Sequence, residues 1–154
     1  MDDKFVTFNR FNQDEPETQV IIAIAGQSHC HGEVAEMVSE LMNAATSFHK
    51  LHLKVNGTGS YAAHVALNDL YDALPGHADA LAEGYQGATE QLLSYEDCAP
   101  QCLNSVHDAL RYCNELKEKI CHLQEKIDYS EIINDLDTVK STINSIKYKL
   151  LFLK

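Results

Sequence analysis

Two histidines and two carboxylates, His52, His64, Asp79 and Glu83, follow one another at spacings of 12, 15 and 4 residues. Imidazole nitrogens combined with carboxylate oxygens, and no thiolate among them, suit Fe(II) better than a structural zinc site. His52 and His64 bracket the stretch "HLKVNGTGSYAAH", in which Asn56, Gly57 and Gly59 interrupt a helical pattern and Ser60 reads as the N-cap of the next helix. The two imidazoles are therefore expected to face each other across a tight helix-to-helix turn.

On the helix that follows, at about 100° per residue with His64 at 0°, Asn68 falls near 40°, Asp79 near 60°, Asp72 near 80° and Glu83 near 100°. Leu67, Leu70, Leu74, Leu81 and Tyr85 gather at roughly 240° to 300°, an apolar face apart from the polar stripe. No Lys or Arg interrupts that stripe. Fifteen residues of helix rise about 22 Å, so His64 and Asp79 of one chain cannot share an ion. A two-fold axis pairing this helix antiparallel with its mate places His52 and His64 of one subunit beside Asp79 and Glu83 of the other. A closed dimer then carries two such sites. The bundle-core alternative, Glu-x-x-His on two helices, is absent from the sequence.

The elements that must position these groups are helices. Apolar positions recur by threes and fours through Val34, Met37, Leu41, Ala45, Phe48, His52 and Val55, and again along the segment opening at Ser60. A third series runs from Val106 to Ile127, and a fourth from Ile132 to Leu153, opening near Ser130. The pattern predicts an all-α protein, an antiparallel four-helix bundle of ferritin-like type. One long crossover, "GATEQLLSYEDCAPQ", joins helices two and three and has room for a short helix. Residues 1–28 read as an irregular N-terminal segment and residues 29–154 as the bundle. Pro75–Gly76 predicts a kink or break in helix two.

Twelve basic against 23 acidic residues give a net charge of −11, which argues against nucleic acid as a partner. The longest apolar run, "VIIAIAG", is far short of the ~20 residues that span a bilayer, so no membrane role is expected. Five cysteines with no export signal point to reduced thiols in a cytoplasm, with those on helices acting as small buried hydrophobes. There is no Gly-x-Ser-x-Gly elbow or phosphate-binding glycine loop for a hydrolase.

The run "LHLKVNGTGSYAAHVALNDLYDALPGHADALAEGYQG" resembles the core of the Dps-type mini-ferritins, over residues 48–87. The family's ferroxidase ligands, His, His, a carboxylate and Glu, match His52, His64, Asp79 and Glu83 without a gap, and its inter-helix Gly matches Gly57. The wording "SYAAHVALNDLYDAL…AEGYQG" is also similar to that of small phage-encoded proteins. The resemblance implies a hollow dodecamer, built from two-fold dimers, that oxidises Fe(II), usually with peroxide, and stores Fe(III) inside. It would work in a cytoplasm, or in a host cell or virion if phage-encoded, with Zn as a substitute metal. Asn68, Asp72 and His49 are weaker candidate ligands. The chain departs from the family at Leu53, where a Trp is usual, and at Asn68, where an Asp is frequent.

Two other clusters carry ligand-type residues. His29, Cys30 and His31 with Cys98 and Cys102 make a possible zinc set without Cys-x-x-Cys spacing. Tyr61, Tyr71 and Tyr85 read as core residues or as electron relays in a chain without Trp, while His77, His107 and His122 have no partner pattern. A non-enzymatic interaction protein, for example a phage component, is the alternative function for the same bundle.

Overall fold

The computed structural model describes residues 17–153, with side chains described over residues 30–153. It holds four helices, α1 (Glu17–His52), α2 (Ser60–Thr89), α3 (Val106–Gln124) and α4 (Ser130–Phe152). Helix α1 starts within the segment read as irregular. Its first residues include the apolar run "VIIAIAG", which has no polar face and so hides the helical period. Residues 1–16 of that segment lie outside the described residues.

Chain direction follows from contacts at each level of the bundle. Lys126 pairs with Glu33 at 2.6 Å and Lys119 with Glu40 at 3.0 Å, so α3 runs antiparallel to α1. Lys149 meets Asp69 at 2.6 Å and His77 Nε2 lies 3.0 Å from Thr142 Oγ1, so α4 runs antiparallel to α2. The segment between α2 and α3 travels the length of the bundle. Leu93 N–H donates to Gln86 Oε1 at one end, and Lys54 Nζ donates to the Leu103 carbonyl at 2.6 Å at the other. Up, down, long return, down, up is the connectivity. Helices α1 and α2, α1 and α3, α2 and α4, and α3 and α4 are neighbours. The crossover contains no helix.

Most of the predicted positions form the core, although Leu153 is exposed and Val106, Leu110 and Leu150 are only half-buried. Leu67, Leu70, Leu74, Leu81 and Tyr85 of α2 are buried, and so are Val34, Met37, Leu41, Ala45 and Phe48 of α1. Helix α2 continues unbroken through Pro75. A proline ring and its missing N–H cost ~3 kcal/mol in a helix interior. Burial of Leu70, Leu74 and Leu81 at about 1.5–3 kcal/mol each outweighs it.

The turn between α1 and α2 differs in detail from the reading of its sequence. Helix α1 ends at His52, before Val55, and the cap of α2 is Gly59 at φ 78°, not Ser60. Gly57 is also left-handed, at φ 86°. Two glycines let the chain reverse in a conformation costing any other residue about 1–2 kcal/mol each. At α3 a reciprocal cap forms instead. Ser105 Oγ accepts from Asp108 N–H at 3.1 Å, and Asp108 Oδ2 accepts from Asn104 N–H at 3.1 Å. The Asn104 N–H foremost, and then the Ser105 hydroxyl, which donates to Oδ2 at 3.0 Å, hold the Asp108 carboxyl below its usual range.

The helical cysteines are not uniformly buried. Only Cys113 is enclosed, its thiol pushed up to about 12 by burial, whereas Cys30 is half-buried and Cys121 exposed. The crossover pair Cys98 and Cys102 is exposed, and all five thiols are free. No helix among the described residues is long and apolar enough to cross a membrane.

Candidate metal centre

His52 is the last residue of α1, and the Gly57–Gly59 reversal brings His64, in the second turn of α2, back against it. Their rings stack with centroids 3.7 Å apart and planes 27° apart. His64 Nδ1 lies 3.3 Å from the His52 carbonyl oxygen. A carbonyl only accepts, so Nδ1 carries a proton, and in the neutral ring Nε2 then keeps its lone pair.

His52 is 7% exposed, and neither Nδ1 nor Nε2 has a hydrogen-bond partner. Leaving a buried polar group unpaired costs about 1–3 kcal/mol. This imidazole is therefore not a satisfied core histidine. Burial lowers its pKa, the neighbouring His64 and His49 lower it further, and Asp72 opposes them. It is held neutral, the state in which an imidazole ligates a metal.

His49, one turn earlier, has its ring centroid 5.7 Å from that of His52 and stacks on Tyr71 at 4.0 Å. Tyr71 also meets His52 edge-on at 5.2 Å. Its hydroxyl donates to Asn68 Oδ1 at 2.8 Å, and Asn68 Nδ2 donates to Asp72 Oδ2 at 2.8 Å. Tyr71 is thus the hub of the corner, placed by its seven-residue spacing from His64, two helical turns along the same face. That spacing was the available signal. Of the other tyrosines, Tyr61 is 81% exposed and lies outside the core, while Tyr85 is buried against His31 and Tyr129.

The chain does not bring the histidines and the carboxylates together. Asp79 and Glu83 lie exposed farther down α2, and Asp79 lines a recess with Met42, Tyr95, Asp97 and Cys98. Among the described residues, no three His, Cys, Asp or Glu side chains stand ready around one ion. The cysteine cluster is dispersed. Cys30 Sγ, well inside α1, faces the Lys126 carbonyl, Cys98 takes a bond from Asn43, and Cys102 faces Asn104. Cys30 and Asn43 are about 20 Å apart by helix rise. The side chain of His29 lies outside the described residues. His77 contacts Thr142 between α2 and α4, and His122 faces Glu125 at 3.8 Å on the surface.

Residues 52–150 match the model of a family of unknown function (DUF5856), which is well over half of the chain. The chain belongs to that family. The DUF5856 match opens on His52 itself and spans His64, Asn68, Asp72, Asp79 and Glu83, leaving His49 outside. Neither a curated protein nor a solved structure shows significant similarity to the chain.

The lowered pKa of His52 has a consequence for stability. The unfolded chain takes up a proton near the ordinary value of 6.5, while folded His52 does so only at lower pH. Burial lowers His77 in the same direction. Between the two values the unfolded state binds more protons, so stability falls as pH falls. The expected result is a lower urea midpoint at pH 5.5 than at 7.5, with the difference reduced in His52→Gln. An identical pH difference in that variant would contradict the assignment.

Proposed function

We propose that this protein binds Fe(II) at sites formed between two copies of the chain, oxidises it and retains the Fe(III) in a ferritin-like assembly. The observation that carries the reading is His52, a buried and neutral imidazole with both nitrogens unpartnered, stacked on a second imidazole with a free Nε2. Asp79 and Glu83 of a second chain would supply the oxygens, and their charge would favour Fe(III) over Fe(II). Leu53 follows His52 directly and Tyr61 lies three residues before His64; they are 72% and 81% exposed, apolar surface suited to a subunit contact. The up-down-down-up order with a single long crossover is that of ferritin-like bundles. With peroxide as oxidant, two Fe(II) each give up one electron, the O–O bond breaks, and two protons complete two waters. A dodecameric cage is the assembly proposed.

A specific observation favours the second reading, a bundle kept as a non-enzymatic interaction scaffold. Both ends of the Asn68 amide are already bonded, to Tyr71 and Asp72, so nothing at that position waits for a second ion.

Fe(II) loading under air, and under peroxide without air, separates the two. Iron retained per subunit and assembly size would be read after gel filtration, for the native chain and for His52→Ala/His64→Ala. The expected result is iron held in a large assembly by the native chain and lost in the variant. Near-zero iron in both would leave the scaffold.

A further inference from the structure

Three imidazoles, not two, meet at the corner between α1 and α2. His49 and His52 sit one turn apart on the same face of α1, and His64 closes over His52 from α2. With metal–nitrogen bonds of about 2 Å and tetrahedral angles, ligating imidazole centroids lie roughly 5 Å apart. The His49–His52 separation of 5.7 Å is within about 1 Å of that value. The His52–His64 separation of 3.7 Å would have to open by about 1–2 Å, and His64 is exposed, with room to pivot about its Nδ1 bond to the His52 carbonyl. His49 is exposed too, its ring resting on Tyr71.

We propose that His49, His52 and His64 of a single chain form a three-imidazole site for a borderline divalent metal such as Zn2+ or Co2+, with His49 turning off Tyr71 to complete it. The unpaired nitrogens of buried His52 are the fixed point of the site, and the His64 Nδ1 bond to the His52 carbonyl orients the second ligand. A set of three neutral nitrogens favours Co2+ and Zn2+ over Fe2+, and strongly over Mg2+ or Ca2+. The fourth position is left to water, as in open zinc sites. The site needs neither a second copy nor electron transfer, so it stands without the iron reading. Because it uses His52 and His64, zinc held there would exclude iron from the inter-subunit site.

The test is titration of the metal-free full-length chain with Co2+, followed by its visible absorption, for the native protein and two variants. His49→Gln is expected to weaken Co2+ binding by at least ~10-fold. Its position is exposed, and far-UV circular dichroism would verify that its helix content matches the native value. Asp79→Asn/Glu83→Gln is expected to bind Co2+ as the native chain does. Equal affinity in His49→Gln, weakened binding in the carboxylate variant, or no cobalt spectrum in the native chain would each overturn the site. Loss of iron oxidation with cobalt binding intact, in the carboxylate variant, would bear on the iron reading alone.

Discussion

Mixing two inactive variants is expected to restore iron oxidation. His52→Ala/His64→Ala keeps both carboxylates, and Asp79→Asn/Glu83→Gln keeps both imidazoles. Each alone lacks half of every inter-subunit site, so each should lose at least ~100-fold in rate if the ligands act as a unit. In a mixed two-fold dimer, one of the two sites takes imidazoles from the carboxylate variant and carboxylates from the histidine variant, and so is complete. The other site lacks everything. Random reassortment makes about half the dimers mixed, with one site of two intact, so about a quarter of the native rate should return. The proteins would be unfolded together in urea, refolded, and assayed beside each variant refolded alone. No recovery, with assembly confirmed by gel filtration, would sink the inter-subunit geometry. A within-chain site gives no recovery whatever the mixing, because neither variant chain carries both half-sets.

The helices were legible because their apolar positions repeat with the helical period and those positions are buried, as at Leu67, Leu70, Leu74 and Leu81. The boundaries were less so. The start of α1 was obscured because "VIIAIAG" is apolar on all sides, and a period needs contrast to be seen. Ser60 has the chemistry of an N-cap, but the backbone must be left-handed at the preceding residue, which only Gly59 supplies cheaply. The pairing of His52 with His64 followed from a short turn between antiparallel helices, and the structure places them in contact. That His52 is buried without a partner could not be read from its spacing, because the partner of a polar group depends on every element around it. Tyr71 reads from the sequence only as a core residue or an electron relay, for a related reason. Its helical angle put it beside His64, but its role lies in touching His49, His52 and Asn68 together, across α1 and α2. Nor did proline chemistry decide the course of α2, since the surrounding leucines are buried on either side of Pro75.

Phe48→Ala is expected to cost about 3–5 kcal/mol, the range for removing a fully buried aromatic ring. Phe48 has no exposed surface and stacks on Tyr112, centroids 5.3 Å apart. Tyr112 is itself anchored. Its hydroxyl donates to Glu40 at 2.8 Å, and burial followed by Glu40 pushes the phenol well above its usual range. With that ring tied by its hydroxyl, the space left by Phe48 cannot readily be refilled, which puts the cost toward the upper part of the range. Against a total of about 5–15 kcal/mol, a loss in that upper part is roughly a quarter of the stability or more. Urea unfolding measures this as a fall in midpoint at unchanged slope. A change under about 1 kcal/mol would mean the neighbouring side chains collapse into the gap, and that Tyr112 is not fixed. Leu53→Ala is the control that separates core from surface. Leu53 is 72% exposed, so within one chain its truncation should change stability by less than about 0.5 kcal/mol. If Leu53 packs against a second copy, its loss should instead lower the midpoint more at high protein concentration than at low, because association stabilises by mass action. The two substitutions thus read different levels of the structure. Phe48 reports the packing that holds His49 and His52 on α1, and Leu53 reports whether that corner meets another chain.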